Sequence, residues 1–264
     1  MTNPRDHARH ASHVHGADAT DSHGATWAGR VLSPSGFEQD TGASDPRVLA
    51  ALGGDDATWM TVAAAARFLV AVLAHADEIQ PNQDGLSVDA AVDMALVTLV
   101  APDGARALPA FTGLDALLAW DASARPVPVT AERLAQSAIT EQCDVIVINP
   151  SPTGVPSPPG TSATRVLRPS QVWALAQRQP WLPPEVDPFV CRAVAAAVGR
   201  QEAVVAHSVF AGEPIGRGIL GVELALAPGL GRAAVEAVVT ALGEDLATDG
   251  EFRVRIDGLT FRLR

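Results

Sequence analysis

Between residues 67 and 181 the apolar positions fall into short runs separated by turn signals. The run Phe68-Leu69-Val70-Ala71-Val72-Leu73 is apolar at every position, which predicts a strand covered on both faces. Residues 94–100 and 106–111 are two further runs joined across Pro102-Asp103-Gly104, and they predict paired strands. After Phe111 the period changes. Leu114, Leu117, Leu118 and Trp120 follow helical spacing, so a helix is expected there, with Thr112 as its cap. Pro126-Val127-Pro128-Val129 alternates like a strand, but two missing N–H groups confine it to an edge or a crossover. Thr130 predicts a cap for a helix to about Glu141. The run Val145 to Ile148, apolar at both parities, predicts a central strand.

Upstream, Asp45-Pro46 reads as a helix cap followed by proline at the first helical position, and a second helix is expected over 56–66. Downstream, a short strand at 165–167 and a helix over 170–177 precede a stretch, 180–188, that holds four prolines and reads as a linker. Beyond it the pattern predicts a helix from Asp187-Pro188 to Val198, strands over 203–211 and 219–227, and a long helix over 232–247. A closing hairpin is expected from 252–256 and 259–263, turned by Asp257-Gly258. This gives an αββαββ order and an antiparallel sheet with helices on one face.

The expected fold is therefore α+β: two small α/β-sandwich domains with mixed or antiparallel sheets flanked by helices. The domains are residues 27–180, with a Pro/Ser-rich insert at 150–164, and residues 185–264. Residues 1–26 are polar, lack an apolar period and read as a disordered tail.

Several of these motifs together resemble a known family. The segment DMALVTLVAPDGARALPAFTGLDALLAWDASARPVPV at 93–129, with the strand from Arg67, the strand Asp144-Val145-Ile146-Val147-Ile148-Asn149-Pro150, and Val172-Trp173-Ala174-Leu175-Ala176 to Trp181-Leu182-Pro183-Pro184, is similar to the enhanced serine sensitivity (SseB-like) proteins. The resemblance is to the long, Ala-rich forms of high-GC bacteria and runs over roughly residues 27–264, the last 75 or so resembling the family's smaller C-terminal domain. It implies an N-terminal and a C-terminal SseB-type domain. It supplies no catalytic residue.

Composition narrows the chemistry. All 19 basic residues are Arg, which excludes a Walker-A lysine, a Schiff-base lysine and a lysine general base. A net charge of −11 argues against nucleic-acid partners and against attraction to anionic lipid. No signal peptide is visible, and the longest apolar run, 62–74, is broken by Arg67 and too short to span a bilayer, so a cytoplasmic location is expected. Cys143 and Cys191 read as buried reduced thiols rather than a disulfide framework.

Candidate sites were weighed against plainer explanations. Gly216-Arg217-Gly218-Ile219-Leu220-Gly221 matches the dinucleotide-loop letters but precedes a strand instead of opening a helix, so a hairpin loop is the better account. His7, His10, His13, His15 and His23 could chelate a transition metal with Asp6, Asp18 and Asp21, although a solvated tail explains them as well. Asp77, Glu78, Asp84, Asp89 and Asp93 lack EF-hand spacing. No serine sits in a nucleophile elbow. The one binding site expected from pattern is an arginine face: in the closing hairpin, Arg253, Arg255, Arg262 and Arg264 would share one side and receive an anionic partner.

No catalytic residue, cofactor or metal is expected. The leading expectation is a non-catalytic binding, regulatory or adaptor protein with a protein partner. The competing readings are an enzyme with an interdomain site that uses His75 or His207 as base, and a structural subunit of an oligomer, with a homo-oligomer left open.

Overall fold

The computed structural model describes residues 36–76, 92–102, 104–151 and 163–264. The expected His-rich tail, most of the acidic loop and most of the Pro/Ser insert lie outside the described residues. The chain divides into two compact units, 1–39 and 40–264. Of the first, only residues 36–39 are described; everything below concerns the second.

Two short helices open it. In α1 (Pro46–Ala51) Asp45 caps the first turn by accepting from Arg47 N, and in α2 (Asp56–Ala64) Asp55 accepts from Thr58 N. Strand β1 (Arg67–Ala76) follows, and residues 68–71 are buried from both sides, as the apolar run requires. Phe68 and Val70 enter one core with Trp59, Leu134 and Ile146; Leu69 and Ala71 enter another with Phe111 and Leu117.

The expected single strand over 94–100 is two: β2 (Val92–Leu96) pairs with β1, and β3 (Leu99–Val100) pairs with β4 (Arg106–Phe111). The chain changes partner at Val97-Thr98, because β1 and β4 are paired only at Leu69-Val70 and a straight strand cannot follow both.

Helix α3 (Leu114–Trp120) is as expected, but Thr112 does not cap it. The N-cap is Gly113 without a side-chain bond, and Leu114 N donates to Gly42 O at 2.7 Å. Thr112 is taken by Asn149, whose Nδ2 donates to its hydroxyl at 3.1 Å. Trp120 is half-buried against Phe111, with ring centroids 5.3 Å apart.

Strand β5 (Arg125–Thr130) pairs antiparallel with β1 at the sheet edge. Ala131 N donates to Ala66 O, so odd-numbered residues here turn their amides toward β1. Pro126 and Pro128 therefore face outward, where the missing N–H costs no ladder bond. Helix α4 (Ala131–Thr140) is capped by Thr130, and β6 (Val145–Ile148) lies between β4, to which it is parallel, and β7 (Arg165–Leu167). Among the described residues this sheet has seven strands, in order β2-β1-β4-β6-β7, with β3 on β4 and β5 on β1. Helix α5 (Pro169–Ala176) completes the half.

A 3-10 turn (Pro184–Val186) leads to α6 (Pro188–Val198), whose cap is Asp187. Strands β8 (Val204–Ala211) and β9 (Ile219–Leu226) form an antiparallel pair joined by the Gly-rich loop, which confirms that loop as a strand connection. Helix α7 (Arg232–Thr248) follows, then α8 (Gly250–Arg255) and β10 (Gly258–Leu263).

The end of the chain corrects the expected hairpin. Residues 252–256 are not a strand. Asp249 accepts from Glu251 N and Phe252 N, and Glu251 pairs with Arg255 one turn later, so the segment coils. Strand β10 then runs parallel to β9, giving αββααβ and a mixed sheet in place of an antiparallel one. Leu220, Val222 and Leu224 of β9 pack on Val190, Val194, Leu242 and Phe252 from α6, α7 and α8. The fold is α+β with two mixed sheets. Cys143, in the turn between α4 and β6, and Cys191, in the first turn of α6, are unpaired and half-buried rather than fully buried.

Candidate functional site

The four arginines expected on one face are dispersed by the corrected topology. Arg253 is exposed on α8. Arg262 on β10 and Arg264 just past its end both lie within about 4 Å of Glu223, at 3.8 and 4.0 Å, and Arg262 stacks on Phe210 at 4.2 Å. Arg255 turns inward, between Trp173 at 5.0 Å and Phe189 at 4.9 Å, and donates to Asp187 Oδ2 at 2.9 Å and Glu251 Oε1 at 2.7 Å. Burial works against its charge, yet the hydrogen bonds it donates to Asp187 and Glu251 outweigh this and raise the Arg255 pKa. Arg255 is thus a seam residue between α5 and α6.

The seam's centre is a carboxylate that sequence reasoning missed. The expected hairpin places Asp257 in a turn. Its backbone N instead donates to Gly218 O at 2.9 Å, and its side chain reaches the start of α5. There it accepts from Ser170 N, Ser170 Oγ and Arg168 Nε, each at 2.8 Å. A carboxylate at this helix start meets unpaired N–H groups and the positive end of the dipole. Arg168 carries the network onward to Asp56 at 2.7 Å, where Arg165 arrives at 2.5 Å. Burial pushes the Asp56 carboxyl up, but the hydrogen bonds and charges of Arg168 and Arg165 more than offset this and hold it below the usual range. Arg165 also donates to Leu52 O and Gly54 O, both at 2.8 Å, closing the end of α1, and its guanidinium covers the Trp59 ring at 5.2 Å. Trp181 Nε1 donates to Ser170 Oγ at 3.1 Å.

Above this floor lies a cleft of about 210 Å³. Asp56 and Arg168 form its base; Trp181, Pro183, Pro184 and Ile219 form apolar walls. The loop 212–218 borders it. Gly218 has φ +70°, and a Cβ there would collide with the Asp257 carboxylate, so this glycine is required by both conformation and space. Ile215, at the loop's tip, lines the cleft yet is 80% exposed. Trp181 also lines a second, larger groove of about 570 Å³, together with Met60, Thr61, Leu175 and Pro180.

Of the histidines considered as bases, His207 is exposed on β8 and does not line the cleft, while the β1–β2 register sets the backbone of His75 opposite Asp93. Among the described residues no group of His, Cys, Asp and Glu has metal-binding geometry. No helix among them is long and apolar enough to cross a membrane.

Residues 46–174, from α1 into α5, match the family model described as the SseB protein N-terminal domain. No curated protein and no solved structure matches the chain.

Proposed function

We propose that this chain works by binding, as a regulatory or adaptor module that receives an extended segment of a protein partner across Trp181. The observation that carries this reading is the pair of depressions flanking that indole, one walled by Pro183, Pro184 and Ile219, the other by Met60, Leu175 and Pro180. A small molecule would fill one depression. A chain crossing Trp181 would place one apolar side chain in each, as in peptide grooves that read alternate residues. The charges in the cleft floor, Asp56 and Arg168, are bonded to each other, so the recognition is apolar with polar backbone support. Within the same reading, residues 185–264 are the C-terminal SseB-type domain of a long SseB-like protein, and the protein acts in the cytoplasm.

Photo-crosslinking in the native cells tests this. A crosslinker at Ile215 and another at Thr61, one in each of the two depressions that share Trp181, should trap the same partner. A crosslinker at Ile139, which is exposed on α4 and lines neither depression, should not. Different adducts from 215 and 61, or the same adduct from 139, would rule out a segment lying across the two.

A further inference from the structure

The edges of the two sheets are not equally protected. An edge strand presents unpaired N–H and C=O groups and is ordinarily guarded by charge, proline or shortness. Strand β5 carries Arg125 and two outward prolines, β10 carries Arg262 and is followed at once by Arg264, and β7 is three residues long. Strand β8 has none of these. Its eight residues, Val-Val-Ala-His-Ser-Val-Phe-Ala, include no Asp, Glu, Lys, Arg or Pro. Among the described residues it pairs with β9 alone, on one side. A bulge between Val204 and Ala206 disturbs its beginning and leaves the rest regular.

The direction of its free groups follows from the hairpin. Gly212 N donates to Ile219 O, so even-numbered residues from 206 turn their amides toward β9. His207, Val209 and Ala211 therefore point N–H and C=O at the open edge. Val205, Ala206, His207 and Ser208 are all exposed, and Val205 is 65% so. Four consecutive exposed residues mean that both faces of the strand are uncovered here, as well as its edge.

We infer that β8 is an interface to a second copy of this chain, paired antiparallel with the other copy's β8 about a two-fold axis, so that the two three-stranded sheets become one of six strands. An edge is its own complement only in that isologous arrangement. Charge favours it too: a chain of net charge −11 repels its copy over most of its surface, and β8 is a strand without a charged side chain. Matching of faces requires the axis to pass through a residue of the strand rather than between two. The inference is independent of the cleft, which β8 borders only at Ala211.

Sedimentation of the full chain tests it. The wild type should sediment at twice the chain mass in the micromolar range. His207→Pro removes an outward N–H and leaves the β9 ladder intact, as Pro126 and Pro128 do in β5, so it should sediment as a monomer with unchanged circular dichroism. Val205→Lys, which places a charge at the edge without touching the backbone, should also shift the equilibrium to monomer and decides the matter if the proline variant does not fold. A wild type that is monomeric throughout, including one that pairs with a strand of another protein, would overturn the inference. So would a dimer that persists in the folded variants.

Discussion

The halves on either side of residues 177–187 bury their sheets differently. In residues 46–176, β1 is sandwiched between two cores, with Phe68 and Val70 on one side and Leu69 and Ala71 on the other. In residues 188–264 only one face of the three-stranded sheet has a core, built on Leu220, Val222 and Leu224, and half of β8 is exposed on both faces. The first half satisfies its own surfaces. The second leans on α5 through Asp257 and Arg255 and leaves an edge open. A scaffold covered on both faces and a smaller module covered on one, joined by a charged seam, is the arrangement this contrast describes, and the cleft beside Trp181 lies where the two meet.

The largest effect should come from the scaffold's core. Trp59→Ala removes a fully buried indole that touches Phe68 and carries the Arg165 guanidinium, and it should cost about 4 kcal/mol in denaturant unfolding. A cost under about 1 kcal/mol would mean that this core is loosely packed. Asp257→Ala comes next. It leaves Ser170 N without its acceptor and Arg168 with one partner fewer, in a place where the carboxylate is only 7% exposed. We expect a loss of about 3 kcal/mol, since removing one member of a buried charged pair strands the other. Gly218→Ala should cost about 2 kcal/mol through its positive φ and the contact with Asp257. Combined with Asp257→Ala it should cost less than the sum, because the collision disappears with the carboxylate.

A smaller, pH-dependent effect belongs to Asp56. Its folded pKa is depressed, so its stabilisation is complete above the unfolded value of roughly 3.9 and fades as pH falls through the lower folded value. Asp56→Asn should therefore lose about 1 kcal/mol near neutral pH, allowing for partial exposure, and nothing in strong acid. A deficit that is constant across pH would assign the effect to packing. Smallest of all, Arg262→Ala should cost about 0.5 kcal/mol, as its stacking on Phe210 is largely solvated.

These residues also show what the sequence could and could not disclose. The buried stretch Phe68 to Val72, the edge position of the proline-bearing β5, and the caps Asp45 and Thr130 were legible because each rests on neighbours within a few positions. The error at 252–256 has a local cause. Phe252 and Ile256 fit a two-residue period and a helical one equally, and the deciding signals were the Asp249 cap and the Glu251–Arg255 pair. The seam was not legible at all. Asp257 and Ser170 are 87 positions apart, and Arg165 meets Asp56 across 109. No single-chain pattern sets such distances; only the folded sheet order brings them together.

The seam's coupling of scaffold and module can be measured on the full chain with two probes. All five tryptophans precede residue 182, so indole fluorescence reports the first half, while amide exchange in α7 reports the second. In the wild type both signals should change at one denaturant concentration. In Asp257→Ala the exchange of α7 should be lost first, at lower denaturant than the fluorescence change. Separate transitions in the wild type, or a single shared transition in Asp257→Ala, would contradict the account.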